Sequence, residues 1–183
     1  MACQFSFRNV LSFAGKFRRA QKGATAVEFA LIATPFFFLL FAMLEVAMVF
    51  FVSISMEHAT MEVARTIRTG EAQQSGQSSG GFLDAVCAEM SPLVPCNGNV
   101  YIDVRTFADF GDVNVNNPIN NQELDNGNFT YNAGNAGDIV IVRVFYVWKL
   151  NTPLIGTVFA NLSGERRLIA TTSAFRNEPF GAI

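Results

Sequence analysis

The sequence predicts an α+β protein: a long N-terminal helix, transmembrane and then amphipathic, followed by a small exported domain with an antiparallel sheet. Three observations predict it. Residues 29–52 contain only Thr34, Pro35 and Glu45 outside the apolar set. Beyond them Met56, Ala59, Val63 and Ile67 recur at helical spacing, with Glu57, Thr60, Glu62 and Arg65 on other faces. Toward the C-terminus, "NVYIDVRTF" (99–107) alternates apolar and polar residues, and "DIVIVRVFYVWKL" (138–150) is almost continuously apolar, as strands are.

The elements follow in order. Residues 1–23 carry Arg8, Lys16, Arg18, Arg19 and Lys22 and no acid, interleaved with Phe5, Phe7, Val10, Leu11, Phe13 and Phe17. This is an amphipathic basic leader suited to the inner membrane surface. Its charge places the N-terminus in the cytoplasm and the rest of the chain, which is net acidic, outside. A basic run beside a membrane segment serves topology and contact with anionic lipid, so no nucleic-acid partner is expected. At about 1.5 Å per residue, 29–52 spans roughly 36 Å, enough for a hydrocarbon core of about 30 Å with some tilt. The run also exceeds the roughly 7–15 residues of a cleaved secretory signal. The helix signal continues from Ala24 to Thr69, roughly 70 Å, with a kink expected at Pro35 and a stop at Gly70.

By composition, "EAQQSGQSSGG" (71–81) is a flexible linker. "FLDAVCAEM" (82–90) reads as a short helix ended by Ser91 and Pro92. Residues 111–137, rich in Asn, Gly and Asp, read as a long loop or a partly disordered one. The run at 138–150 asks for a central strand covered on both faces. A short helix is expected within 153–162 and a third strand at 166–175. The domain plan is therefore a leader (1–23), a long helix (24–69, membrane span about 29–52), a linker (70–81) and an exported α+β domain (82–183).

Motifs for chemistry are scarce. His58 and Glu62 share a helix face, but no HExxH and no third ligand accompany them. Asp109, Asp112, Asn114 and Asn116 miss the calcium-loop spacing. "DFG" at 109–111 has no Gly-rich loop to go with it. No catalytic residue, metal or cofactor is expected, and neither is an enzyme. Cys3 lies in the leader, whereas Cys87 and Cys96 lie on the exported side, where disulfides persist. Their spacing leaves a structural bridge, giving roughly 2.5–3 kcal/mol on the chain-entropy model, or two free thiols.

Two carboxylates stand out. A cut after Gly23 would remove the basic leader and give Ala24 a charged α-amine, with Glu28 fifth in the mature chain and Phe29 after it. When such helices pack side by side, Glu28 of one can neutralise the amine of its neighbour, in a low dielectric that strengthens the pairing. The same carboxylate would favour the helix dipole. Glu45 lies about 25 Å further along, roughly 100° around the helix. It either faces a partner helix or snorkels to the outer interface.

Basic leader, Gly23, Glu28 and apolar run together resemble the type IV prepilin signal. More narrowly, "RRAQKGATAVEFALIATPFF" (18–37), the helix end "EVARTIRTG" (62–70) and "FRNEPF" (175–180) resemble the TadE-like pseudopilins of tight-adherence (Tad) pilus systems. The resemblance implies cleavage between Gly23 and Ala24 by a prepilin peptidase, N-methylation of Ala24, and pairing of Cys87 with Cys96. It also implies partnership with other pseudopilins, pilus assembly proteins and the lipid bilayer. The expected place is the inner membrane, single-pass, with the C-terminal domain periplasmic. Major pilins of these systems are far shorter, so a minor or priming role is implied. The rival reading is a permanently anchored receptor or chaperone-like domain. Within "FRNEPF", Arg176 and Glu178 form either a docking motif or the charged end of a terminal strand.

Overall fold

The computed structural model describes residues 23–152 and 156–181; the leader expected at 1–22, with Cys3, lies outside them. The chain divides into two compact units, Met1–Met43 and Leu44–Ile183. Helix α1 (Ala24–Arg68) begins in the first and supplies the first element of the second. Its helical assignment passes through Pro35.

In the first unit, α1 is apolar on all sides from Phe29 onward, as a lipid-facing helix is. Phe29, Leu31, Ile32, Phe36, Leu39 and Met43 are all exposed. The one hydroxyl between Phe29 and Met43 is satisfied locally: Thr34 Oγ1 donates to the Ala30 carbonyl at 2.9 Å. A helix with such a surface is long and apolar enough to cross a membrane.

In the second unit, α1 turns one stripe inward. Val52, Met56, Ala59, Val63 and Ile67 are buried, the spacing seen in the sequence. Thr60 is buried with them, although the periodicity placed it on a polar face. The stripe packs on a three-stranded antiparallel sheet of order β1-β4-β5, formed by β1 (Val100–Phe107), β4 (Ile139–Lys149) and β5 (Arg166–Arg176). The apolar run at 138–150 is the central strand, as its composition requires. Alternation sorts its two faces. Val140, Val142, Val144 and Tyr146 join the helix stripe, with Phe82 and Val86 of α3 (Ser79–Glu89) added. Phe145 faces the other way, with Leu162 and Leu168.

Two expectations change. The linker at 71–81 is largely helical. α2 (Glu71–Gln74) follows Gly70, and α3 begins at Ser79 behind the N-cap Ser78, whose hydroxyl accepts from the Gly81 N–H at 3.2 Å. Composition alone marks such a stretch as flexible; the cap, buried Ala72 and the Gln73 side chain bonded to the Ile67 and Ala133 carbonyls order it. The Asn-rich stretch 111–137 runs mostly as loop, one of the two readings given for it, and what differs is that it packs. It carries a ribbon of β2 (Ile119–Asn120) and β3 (Glu123–Leu124) and covers the outer face of the sheet, where Phe129 stacks on Phe145 at 5.1 Å. Ile119, Leu124 and Phe129 pack on that outer face, and Tyr131 and Ala133 pack against the main core. A four-residue helix, α4 (Gly156–Phe159), lies in the 153–162 stretch, of which 153–155 is outside the described residues.

Candidate functional site

The N-terminal segment holds the expected processing and assembly residues. Gly23 precedes α1 by one residue, and a Cβ built there meets nothing within 4 Å. Ala24, Glu28 and Phe29 are all exposed. The first turn of α1 contains no acidic residue. Glu28 therefore begins the second turn, and the dipole support expected of it shrinks, because that effect falls off within one turn. What Glu28 retains is an exposed carboxylate four residues beyond Ala24, at the head of a bare apolar surface.

Glu45 is resolved by the C-terminal unit itself. Only 8% exposed, it neither seeks a partner helix nor snorkels. Its Oε1 accepts from the Trp148 indole N–H at 3.0 Å, and its Oε2 from the Asn151 backbone N–H at 3.3 Å and the Thr152 hydroxyl at 3.0 Å. The end of β4 is thereby fastened to α1 at the point where the helix enters the C-terminal unit. Nothing in local spacing links Glu45 to residues more than a hundred positions later; the one available sign was a charged residue in an apolar run that needed donors from somewhere.

A second polar centre was not anticipated. Asp103, fully buried on β1, faces Arg143 on β4, the residue opposite it in the register. Arg143 donates through Nη2 at 2.5 Å and Nε at 3.1 Å, Arg105 Nε donates at 3.0 Å, and the Thr130 N–H donates at 3.0 Å. Burial pushes the Asp103 carboxyl up; the Thr130 N–H and the two guanidiniums outweigh it and hold the group below its ordinary value. Arg105 also reaches the Asn128 carbonyl at 2.7 Å and Arg143 the Asn116 carbonyl at 2.9 Å. The cluster thus clamps the Asn-rich stretch onto the sheet. The alternation in β1 predicted a strand and no cover for its polar side; the Asn-rich stretch covers it and buries Asp103.

The remaining candidates are placed as follows. The Cys87 and Cys96 sulfurs lie at 2.10 Å with their Cα atoms 5.9 Å apart, within bonding reach. Glu62 pairs with Arg65 at 3.3 Å, and His58 is exposed. Asp109 caps the turn Phe110–Asp112 by accepting from the Gly111 N–H. Among the described residues no three His, Cys, Asp or Glu side chains gather as metal ligands. In "FRNEPF", Arg176 Nε donates to the Gly137 carbonyl at 2.8 Å. Glu178 pairs with Arg68 at 3.4 Å, and its N–H donates to the Arg68 carbonyl at 2.9 Å. Asn177, buried between them, donates to the Ala133 and Asn135 carbonyls. These residues join the last turn of α1 to the end of β5.

Residues 23–65 match the TadE family model, described as TadE-like protein. No curated protein and no solved structure matches the chain.

Proposed function

From a TadE-like segment at residues 23–65, consistent with a Tad pilus-associated protein, we propose that this chain is a minor pseudopilin. Its role is structural, in the assembly of the pilus, and not enzymatic. A prepilin peptidase cuts between Gly23 and Ala24, and the mature helix packs laterally with other pseudopilins and pilus assembly proteins in the inner membrane, with the C-terminal domain on the periplasmic side. One observation carries the reading: an exposed carboxylate, Glu28, heads an apolar helical surface whose large side chains are bare. Alone in lipid that carboxylate is unfavourable; beside the α-amine of a neighbouring Ala24 it becomes half of an ion pair. Cys87 and Cys96 then form a structural bridge, as an oxidising compartment permits.

The mass of the protein taken from its native membrane tests the reading. A chain beginning at Ala24, with or without a methyl group, is expected. An intact leader in cells with an active prepilin peptidase would make the protein a permanent single-pass anchor and sink the proposal. Glu28→Gln should leave cleavage intact and reduce co-purification with other pseudopilins; undiminished co-purification would refute the role given to Glu28.

A further inference from the structure

We propose that the end of the C-terminal unit next to Leu44 is a membrane-surface contact, in which Trp148, Lys149, Val158, Phe159 and Arg167 meet the headgroups of anionic lipid. The bilayer then ends near Leu44 and not near Val52. The inference rests on reading the apolar part of α1 as a membrane span.

Four observations carry it. Leu44 is followed at once by Glu45, whose carboxylate is taken up by Trp148, Asn151 and Thr152. A carboxylate held by protein donors marks the point where the helix leaves lipid and enters its own domain. Next, Val52 is fully buried in the domain core, so acyl chains cannot surround the helix there. The 21 residues from Ala24 to Leu44 already span about 31 Å, the thickness of a hydrocarbon core. Thirdly, α4 and the start of β5 flank these same helix positions: Phe159, Arg167 and Leu168 share a cavity of about 220 Å³ with Val46, Val49 and Phe50. Whatever lies at the level of Val46 lies at the membrane edge.

The last observation is chemical. Val158 is 79% exposed and Phe159 37% exposed on this short helix. Arg167 sits 5.9 Å from the Phe159 ring centroid and donates to the Phe159 carbonyl at 2.8 Å. Lys149 is exposed at the end of β4, directly after Trp148. An indole, bare apolar side chains and cations on one edge match the layer where acyl chains give way to phosphate. The cations select anionic headgroups over zwitterionic ones.

Trp148 is the only tryptophan in the chain, so its emission reports this edge directly. The full chain is reconstituted in vesicles of phosphatidylcholine and phosphatidylglycerol. One set carries bromine high on the acyl chain, just below the headgroup, and another carries it at the chain end. Proteoliposomes that float, with Trp148 quenched several-fold more strongly by the shallow bromine, are expected. Val158→Glu, a change at an exposed position, should lower the shallow quenching roughly twofold without altering emission in detergent. Lys149→Glu with Arg167→Glu should lower it in vesicles containing phosphatidylglycerol but not in pure phosphatidylcholine. Protein that floats while shallow bromine leaves Trp148 unquenched would overturn the contact and leave the membrane span standing. Protein that fails to float would overturn the span and the contact with it.

Discussion

Replacing Glu45 with alanine should loosen the C-terminal unit at the point where the chain enters it. Three donors converge on this carboxylate, two at 3.0 Å and one at 3.3 Å. A hydrogen bond to a charged group contributes about 1.5–3 kcal/mol. The Asn151 and Thr152 donors lie near solvent, and water can replace much of what they lose. The Trp148 indole is half-buried against the core and regains less. The expected loss is about 2–4 kcal/mol in total. With a urea slope of about 2 kcal/mol per molar, the unfolding midpoint should fall by about 1–2 M. Trp148 is both partner and reporter, so its emission through a urea titration of the full chain in detergent micelles follows the change. Glu45→Gln, which keeps the shape but turns one acceptor into a donor and removes the charge, should fall between the two. An unchanged midpoint for Glu45→Ala would refute the reasoning and return Glu45 to a partner helix.

Four further outcomes are expected. Asp103→Ala leaves the buried Arg143 guanidinium without its counter-charge and should destabilise by about 3–5 kcal/mol, read by the same titration. Because the folded Asp103 carboxyl titrates below its ordinary value of 3.8, its contribution is complete above that pH and lost as pH falls below it. Wild-type stability should therefore drop more steeply than that of Asp103→Asn in that acid range. Gly70 sits at φ +86, and a Cβ there would lie 2.3 Å from Phe180 Cγ. Gly70→Ala should lose about 2 kcal/mol or more, combining left-handed strain of about 1–2 kcal/mol with displacement of the ring, and heat denaturation would show a lowered midpoint. Cys96→Ser should lower stability by about 2–3 kcal/mol against oxidised protein and by little against reduced protein, as a bridge closing a short loop requires.

The long apolar helix, the amphipathic stripe and the three sheet strands were legible in the sequence because each is a local pattern. A long, nearly unbroken apolar run, a helical repeat at Met56, Ala59, Val63 and Ile67, alternation around Val104 and a short apolar run around Val142 are local patterns whatever the rest of the molecule does. The TadE-like match at residues 23–65 also falls on a local pattern, since Gly23, Glu28 and Phe29 lie within one short stretch. Other features depended on residues far apart in sequence and only the tertiary structure decided them. Trp148 reaches Glu45 across 103 positions, and Asp103 finds Arg143 across 40. The polar stretch 111–137 looked too hydrophilic to pack, and it packs through Ile119, Leu124, Phe129, Tyr131 and Ala133 and through backbone carbonyls that receive Arg105 and Arg143. Burial of a charge is a statement about which donors surround it, and no local pattern contains that information. Sequence alone thus determined that a helix long and apolar enough to cross a membrane precedes a small α+β domain; the three-dimensional pairing decided that the helix is built into that domain from Glu45 onward, because burial depends on partners distant in sequence.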